Sequence, residues 1–123
     1  MRLPEEMPCF YGAIVIEFSA KITDCQIRHF LGENFEITHF KEISEVVYKE
    51  VKDVFCWEVN DLLTKLFCDC NFDLLLIVKE KIEAKLIIDI SFLHKIKYPA
   101  LVFNGTNMSY IHMLNADLSI DPY

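Results

Sequence analysis

The sequence holds only three glycines in 123 residues, Gly12, Gly32 and Gly105. No two are neighbours, so a glycine-rich loop that lets backbone amides close around a phosphate has nowhere to form. The P-loop and dinucleotide fingerprints are absent. Apolar runs are short: the densest, Leu74 to Val78, has five residues, against the roughly 20 needed to cross a bilayer. The opening "MRLPEEMPCF" contains no apolar stretch of the about 7–15 residues found in a secretory signal. A soluble chain, not exported by that route and without a membrane partner, is expected. Basic residues are also scarce, with 12 lysines and arginines facing 19 acids for a net charge of −7. Nucleic acid is disfavoured as a partner, because affinity for it comes largely from cations that neutralise phosphate.

Cysteine is present in an odd number, Cys9, Cys25, Cys56, Cys68 and Cys70, and without a regular framework. That pattern predicts free thiols, a reducing compartment and hence the cytoplasm. Cys68 and Cys70 form a C-x-C pair, but no second Cys or His pair stands at zinc-ligand spacing. We therefore expect no metal and no cofactor, and read these cysteines as small hydrophobes. The nucleophile elbow, the zinc-protease helix and the kinase signature set are all missing, which argues against an enzyme.

What the chain does have is apolar content, 53% with ten phenylalanines. That is enough for a packed core in one domain spanning 1–123. "YGAIVIEFSA" places Ile14, Ile16 and Phe18 on one face at period two and reads as a central strand. "TDCQIRHFLG" then offers Thr23 or Asp24 as N-cap, a stripe of Ile27, Phe30 and Leu31, and Gly32 as the stop of a helix. Residues 35–59 lack glycine and proline and favour two strands, one around Phe35 and Ile37 and one near Val54 and Cys56. "NDLLTKLF" reads as a helix capped by Asn60. For 72–82, Asn71 or Asp73 could cap a second helix, although period alone leaves a buried strand open. "AKLIIDISF" is a strand with Leu86, Ile88 and Ile90 on one face and Asp89 on the other.

Pro99 favours a sheet edge, and "ALVF" a brief extended segment. After Gly105, Thr106 or Asn107 should cap a short helix with Met108, Ile111, His112 and Leu114 inward, ended by Asn115. The last residues alternate, Ala116, Leu118 and Ile120 against Asp117, Ser119 and Asp121. This is a strand with one wet face, with Tyr123 capping the sheet. The order predicts an α+β fold, a single domain with helices on a mostly antiparallel or mixed sheet, in a split β-α-β, ferredoxin-like arrangement.

Chemistry-bearing residues are scattered. Cys25 and His29 lie four apart on one helix face, the spacing of a nucleophile and its base, but such spacing is common. Asp117 and Asp121 share a strand face without a pocket that would suit acid–base work. Trp57 and Tyr123 are large enough to anchor a partner, and His94, Lys95 and Lys97 form a small basic group. The clearest feature is charge. Residues 33–73 hold ten acids against four lysines, −6 of the −7. Glu42, Glu45, Glu50, Asp53, Glu58 and Asp61 are the candidate partner-binding residues, because an acidic surface gives fast, salt-dependent association with a basic groove. The other reading of the same acids is an ordinary solvated face.

Four stretches, "FLGEN", "CWEV", "NDLLTKLF" and the closing "YPALVFNGTNMSYIHMLNADLSIDPY", resemble a bacterial domain-of-unknown-function family, number 4279 in that series. The ending carries most of the likeness, since Ala116 to Tyr123 fit its pattern of a small residue, alternating hydrophobics, Asp and Tyr. The resemblance implies a mid-chain aromatic strand at "CWEV", with Cys56 in place of a glycine, and supplies no catalytic residues. Some proteins of this look are similar to immunity proteins encoded beside contact-dependent toxins. The resulting expectation is an immunity protein that binds and neutralises a cognate toxin domain, possibly a nuclease. The alternative is a small-molecule or regulatory binding module with a deep cleft between sheet and helices.

Overall fold

A computed structural model describes residues 7–93 and 99–122. The elements run β1 Cys9–Ser19, α1 Asp24–Leu31, β2 Ile37–His39, β3 Ile43–Phe55, α2 Val59–Phe67, α3 Phe72–Ile82, β4 Lys85–Leu93, α4 Gly105–Leu114 and β5 Asp117–Pro122. The strands form one five-stranded sheet in the order β2-β3-β1-β4-β5. β1 is central, as its continuous β-branched and aromatic run predicts. It pairs antiparallel with both β3 and β4, while β4 and β5 are parallel. The sheet is therefore mixed, and the fold is α+β.

β3 and β4 run parallel to each other on either side of β1, joined through α2 and α3. The all-antiparallel sheet of a ferredoxin-like domain is not reproduced, because α4 carries the chain back across the sheet and sets β5 parallel to β4.

All four helices pack on one face of the sheet. Even-numbered β1 and β4 residues point to it: Phe10, Ile14, Ile16, Phe18, Leu86, Ile88, Ile90 and Phe92 are buried. At one end they meet Val59, Leu62, Leu63, Leu66 and Phe67 of α2. At the other they meet Ile27 and Leu31 of α1, Leu75 and Val78 of α3, and Leu114 of α4. Each fully buried side chain of this size contributes about 1.5–3 kcal/mol, so this single seam holds the two layers together. Gly12 sits on the same face, where an added Cβ would come 3.3 Å from the Leu62 methyls.

α1 begins and ends where its residues dictate. Thr23 and Gln26 form a reciprocal capping box, and Gly32 closes the helix at φ 100°. α3 is a helix because Asn71 Oδ1 accepts from the Leu74 amide at 3.1 Å, and because burying Leu75 and Val78, three apart, suits a helical stripe.

Other expectations shift. α2 starts at Val59 behind Glu58, with no side-chain cap. Asn60 cannot serve as its cap, since its Oδ1 accepts instead from the Asn104 amide and from Asn107 Nδ2. "CWEV" is not a strand: β3 ends at Phe55, and Glu58 makes one isolated bridge with Ala100, the only paired residue of "ALVF". α4 is capped by Asn104, ahead of the expected Thr106 or Asn107. Asn107 and Leu114 are buried, while Met108 and His112 face solvent. Tyr123 and the basic group His94, Lys95 and Lys97 lie outside the described residues. Among the described residues, no helix is long and apolar enough to cross a membrane.

Candidate functional site

With the helices on one side, the odd-numbered residues of β1 and β4 lie on the other, where no helix of the described residues covers them. Register assembles them into rows. Glu45, Glu17 and Lys85 lie side by side across β3, β1 and β4. The next row is Val47, Val15, Ile87 and Asp117, and the third is Glu50, Ala13, Asp89 and Ser119. Then come Tyr11, Ser91 and Asp121, and last Phe55, Cys9 and Leu93. Lys85 pairs with Asp117 at 3.2 Å. The Tyr11 hydroxyl donates to Glu50 Oε2 at 2.9 Å, and Lys52 reaches the other oxygen of Glu50 at 3.5 Å. The result, among the described residues, is a face with no helix over it, with a short apolar centre in which Val47 is 40% exposed and Val15 buried, an acidic surround from four strands, and an apolar end where Phe55 is 62% and Leu93 51% exposed.

The six acids singled out in the sequence do not form one patch. Glu45 and Glu50 stand on this face, and Asp53 at its end. Glu42 lies in the β2–β3 turn, where its carbonyl accepts from the Ala20 amide. Glu58 precedes α2 and Asp61 occupies the first turn of that helix, where a carboxylate complements the helix dipole. The acids that join Glu45 and Glu50 are Glu17, Asp89, Asp117 and Asp121. They were legible in the alternation of β1, β4 and β5, but a contiguous charge count over 33–73 passes over them.

β3 reaches this geometry through two bulges, one between Ile14 and Val15 of its partner and one opposite Tyr11. At the second, Lys52 and Asp53 both face one residue of β1, and Asp53 takes the left-handed conformation at φ 54°. A bulge of this kind bends the strand and re-aims a side chain. Beside it lies an open recess of about 320 Å³ lined by Cys9, Phe10, Tyr11, Lys52, Asp53 and Leu93.

Among the helices, a second recess of about 330 Å³ lies between α2 and α4, bordered by Thr64, Phe67, Asn107 and Tyr110. Its polar groups serve one another. The buried Asn107 donates through Nδ2 to Asn60 Oδ1 at 2.7 Å and to Thr64 Oγ1 at 3.2 Å. Because Asn60 Oδ1 also accepts from the Asn104 amide, the orientation of both carboxamides is fixed.

One alignment resembles hydrolytic chemistry. Ser44 Oγ lies 3.0 Å from His39 Nδ1, and His39 Nε2 lies 3.1 Å from Asp24 Oδ2. Ser44 is 2% exposed and is the cross-strand partner of His39 in the β2–β3 pair, so its hydroxyl is closed to an incoming carbonyl. The relay ties the hairpin to the start of α1. Cys25 and His29 are both exposed on α1, with no hydrogen bond between them among the described residues. His29 instead packs edge-on to Phe30 at 5.3 Å.

All five cysteines are free. Burial pushes the Cys56 thiol up to about 11, with Asp61 adding to the effect. Cys9 and Cys70 are raised by the same desolvation, and Asp53 adds to it at Cys9. These three thiols stay protonated at neutral pH, the unreactive form. Cys70 Sγ donates to the Leu66 carbonyl at 3.2 Å, a packed role for half of the C-x-C pair. Among the described residues, no three His, Cys, Asp or Glu side chains converge as a metal-binding group.

Comparison with protein-family models, with curated proteins and with solved structures gives no match.

Proposed function

We propose that the protein is a binding module that captures a basic protein domain on the uncovered face of its sheet, acting as an immunity protein acts on a cognate toxin. The observation that carries this reading is charge on an uncovered surface. Glu17, Glu45, Glu50, Asp89, Asp117 and Asp121 ring the apolar Val15, Val47 and Ile87, with Lys52 and Lys85 as the lysines of these strand rows among the described residues. Such a face attracts a positive groove at long range and then offers it an apolar centre to bury. A nuclease toxin has the required groove, since it must hold a polyanion, and an inhibitor with this face would compete for it.

The test is titration of the purified protein with the product of the gene directly upstream, at low and at high salt. Tight binding at low salt that weakens as salt rises is expected. Reversing Glu17, Glu45 and Asp89 to lysine should abolish it, and reversing Glu58 and Asp61 should leave it unchanged. Binding that survives the first triple reversal, or no complex at low salt, sinks the proposal.

A further inference from the structure

The acidic face ends in a recess whose chemistry differs from the rest, and that difference specifies one side chain of the partner. We propose that this recess is an arginine anchor: it takes one arginine of the basic partner, with the guanidinium on the Asp53 carboxylate and the aliphatic stem against Tyr11, Cys9 and Leu93. The inference rests on the proposed docking face and adds its specificity-determining contact.

Three observations converge. First, Asp53 makes no ion pair or side-chain hydrogen bond among the described residues. Lys52, its neighbour on the same bulge, is directed to Glu50 at 3.5 Å. Second, the recess wall is apolar: Cys9, Tyr11 and Leu93 adjoin across two strands, and Phe55 stands next to Cys9 in the same row. A bare ammonium gains little from such walls, being strongly hydrated. A guanidinium is weakly hydrated and planar, stacks on an aromatic ring, and offers a fork of donors to a carboxylate. Third, the volume of about 320 Å³ suits one long side chain and lies at the small end of the about 300–1,000 Å³ typical of ligand pockets. Anchors of this kind, one arginine in an apolar pocket with a charged floor, are where interface energy concentrates.

The backbone supplies a clean variant. Asp53 sits at φ 54°, a conformation that asparagine also adopts readily, so Asp53→Asn removes the charge and keeps the bulge. The probe is N-acetyl-arginine amide, titrated into the ¹⁵N-labelled full chain and followed by amide chemical shifts, with N-acetyl-citrulline amide as its uncharged isostere. Shifts clustered at Cys9–Tyr11, Lys52, Asp53 and Leu93 are expected with arginine, lost with citrulline and lost in Asp53→Asn. Asp61→Asn, which removes an exposed acid on α2, should leave them intact. The proposal is overturned if arginine shifts are absent, spread over the acidic rows, match those of citrulline, or persist in Asp53→Asn. A negative result here leaves the charge-reversal test of the docking face standing, so the two proposals fail separately.

Discussion

The two faces of β1 are built from the same eleven residues and could hardly differ more. On the helix side Phe10, Ile14, Ile16 and Phe18 are sealed under α1, α2, α3 and α4. On the other, Cys9, Tyr11, Ala13, Val15 and Glu17 have no helix of the described residues over them. Ala13 is nevertheless only 1% exposed and Val15 9%. The difference teaches that burial alone does not define the core. What distinguishes the helix side is that large side chains interlock there with a second layer, whereas the open side sets smaller apolar residues among charged ones.

The largest effect that sharpens this contrast is on the helix side. Phe18→Ala leaves a cavity between α1, α3 and β1, and should cost about 3–5 kcal/mol, read as a lower midpoint in urea unfolding. The open-face counterpart Val47→Thr, at a side chain 40% exposed, should fall within about 0.5 kcal/mol of the parent. Equal losses from the two would mean that something covers the open face, and would break the comparison.

The next effect lies within the helix layer. Asn107 is 2% exposed, and its carboxamide joins α4 to Asn60 and Thr64 of α2. Asn107→Ala removes a buried donor from the partly buried Asn60 and the exposed Thr64, and should cost about 0.5–1.5 kcal/mol. Amide exchange should rise in α4 before it rises in β1. Asn107→Ala with unchanged stability would show that the polar contact does not hold α4 in place.

How much of this was legible in the chain follows from how local each signal is. The faces of β1 and β4 follow from period two alone, so Ile14, Ile16, Phe18, Leu86, Ile88 and Ile90 read correctly. α1 carries both its own cap and its own stop. For α4 the helix, its Asn115 stop and the inward Ile111 and Leu114 read correctly, whereas the cap and the placement of Met108 and His112 did not, because Asn104 caps the helix and Asn107 turns inward to meet Asn60, which lies 47 positions away in sequence. The same contact engages Asn60 Oδ1, so Asn60 lies inside the first turn of α2 and not at its cap. The candidate site was half legible. Asp89, Asp117 and Asp121 alternate visibly with apolar neighbours, but only strand order sets them beside Glu45 and Glu50, and no local pattern marks Asp53 as the residue of a bulge.

The smallest effect is the most diagnostic of use rather than of folding. Glu17 and Glu45 are direct cross-strand partners, and like charges so placed destabilise a sheet. Lys85, beside Glu17 in the next strand, is already engaged by Asp117 at 3.2 Å, so it only partly offsets them. Glu45→Lys converts the pair to opposite charges and should raise stability by about 0.2–1 kcal/mol, a gain that shrinks as salt is added because the pair is partly exposed. The same change should slow association with a basic partner at low salt. A variant that folds better and binds worse separates the two demands on this face: for the sheet alone, the lysine is the better residue at position 45. If Glu45→Lys instead destabilises the chain, the carboxylates at 17 and 45 are held apart by contacts within the sheet, and their juxtaposition carries no information about a partner.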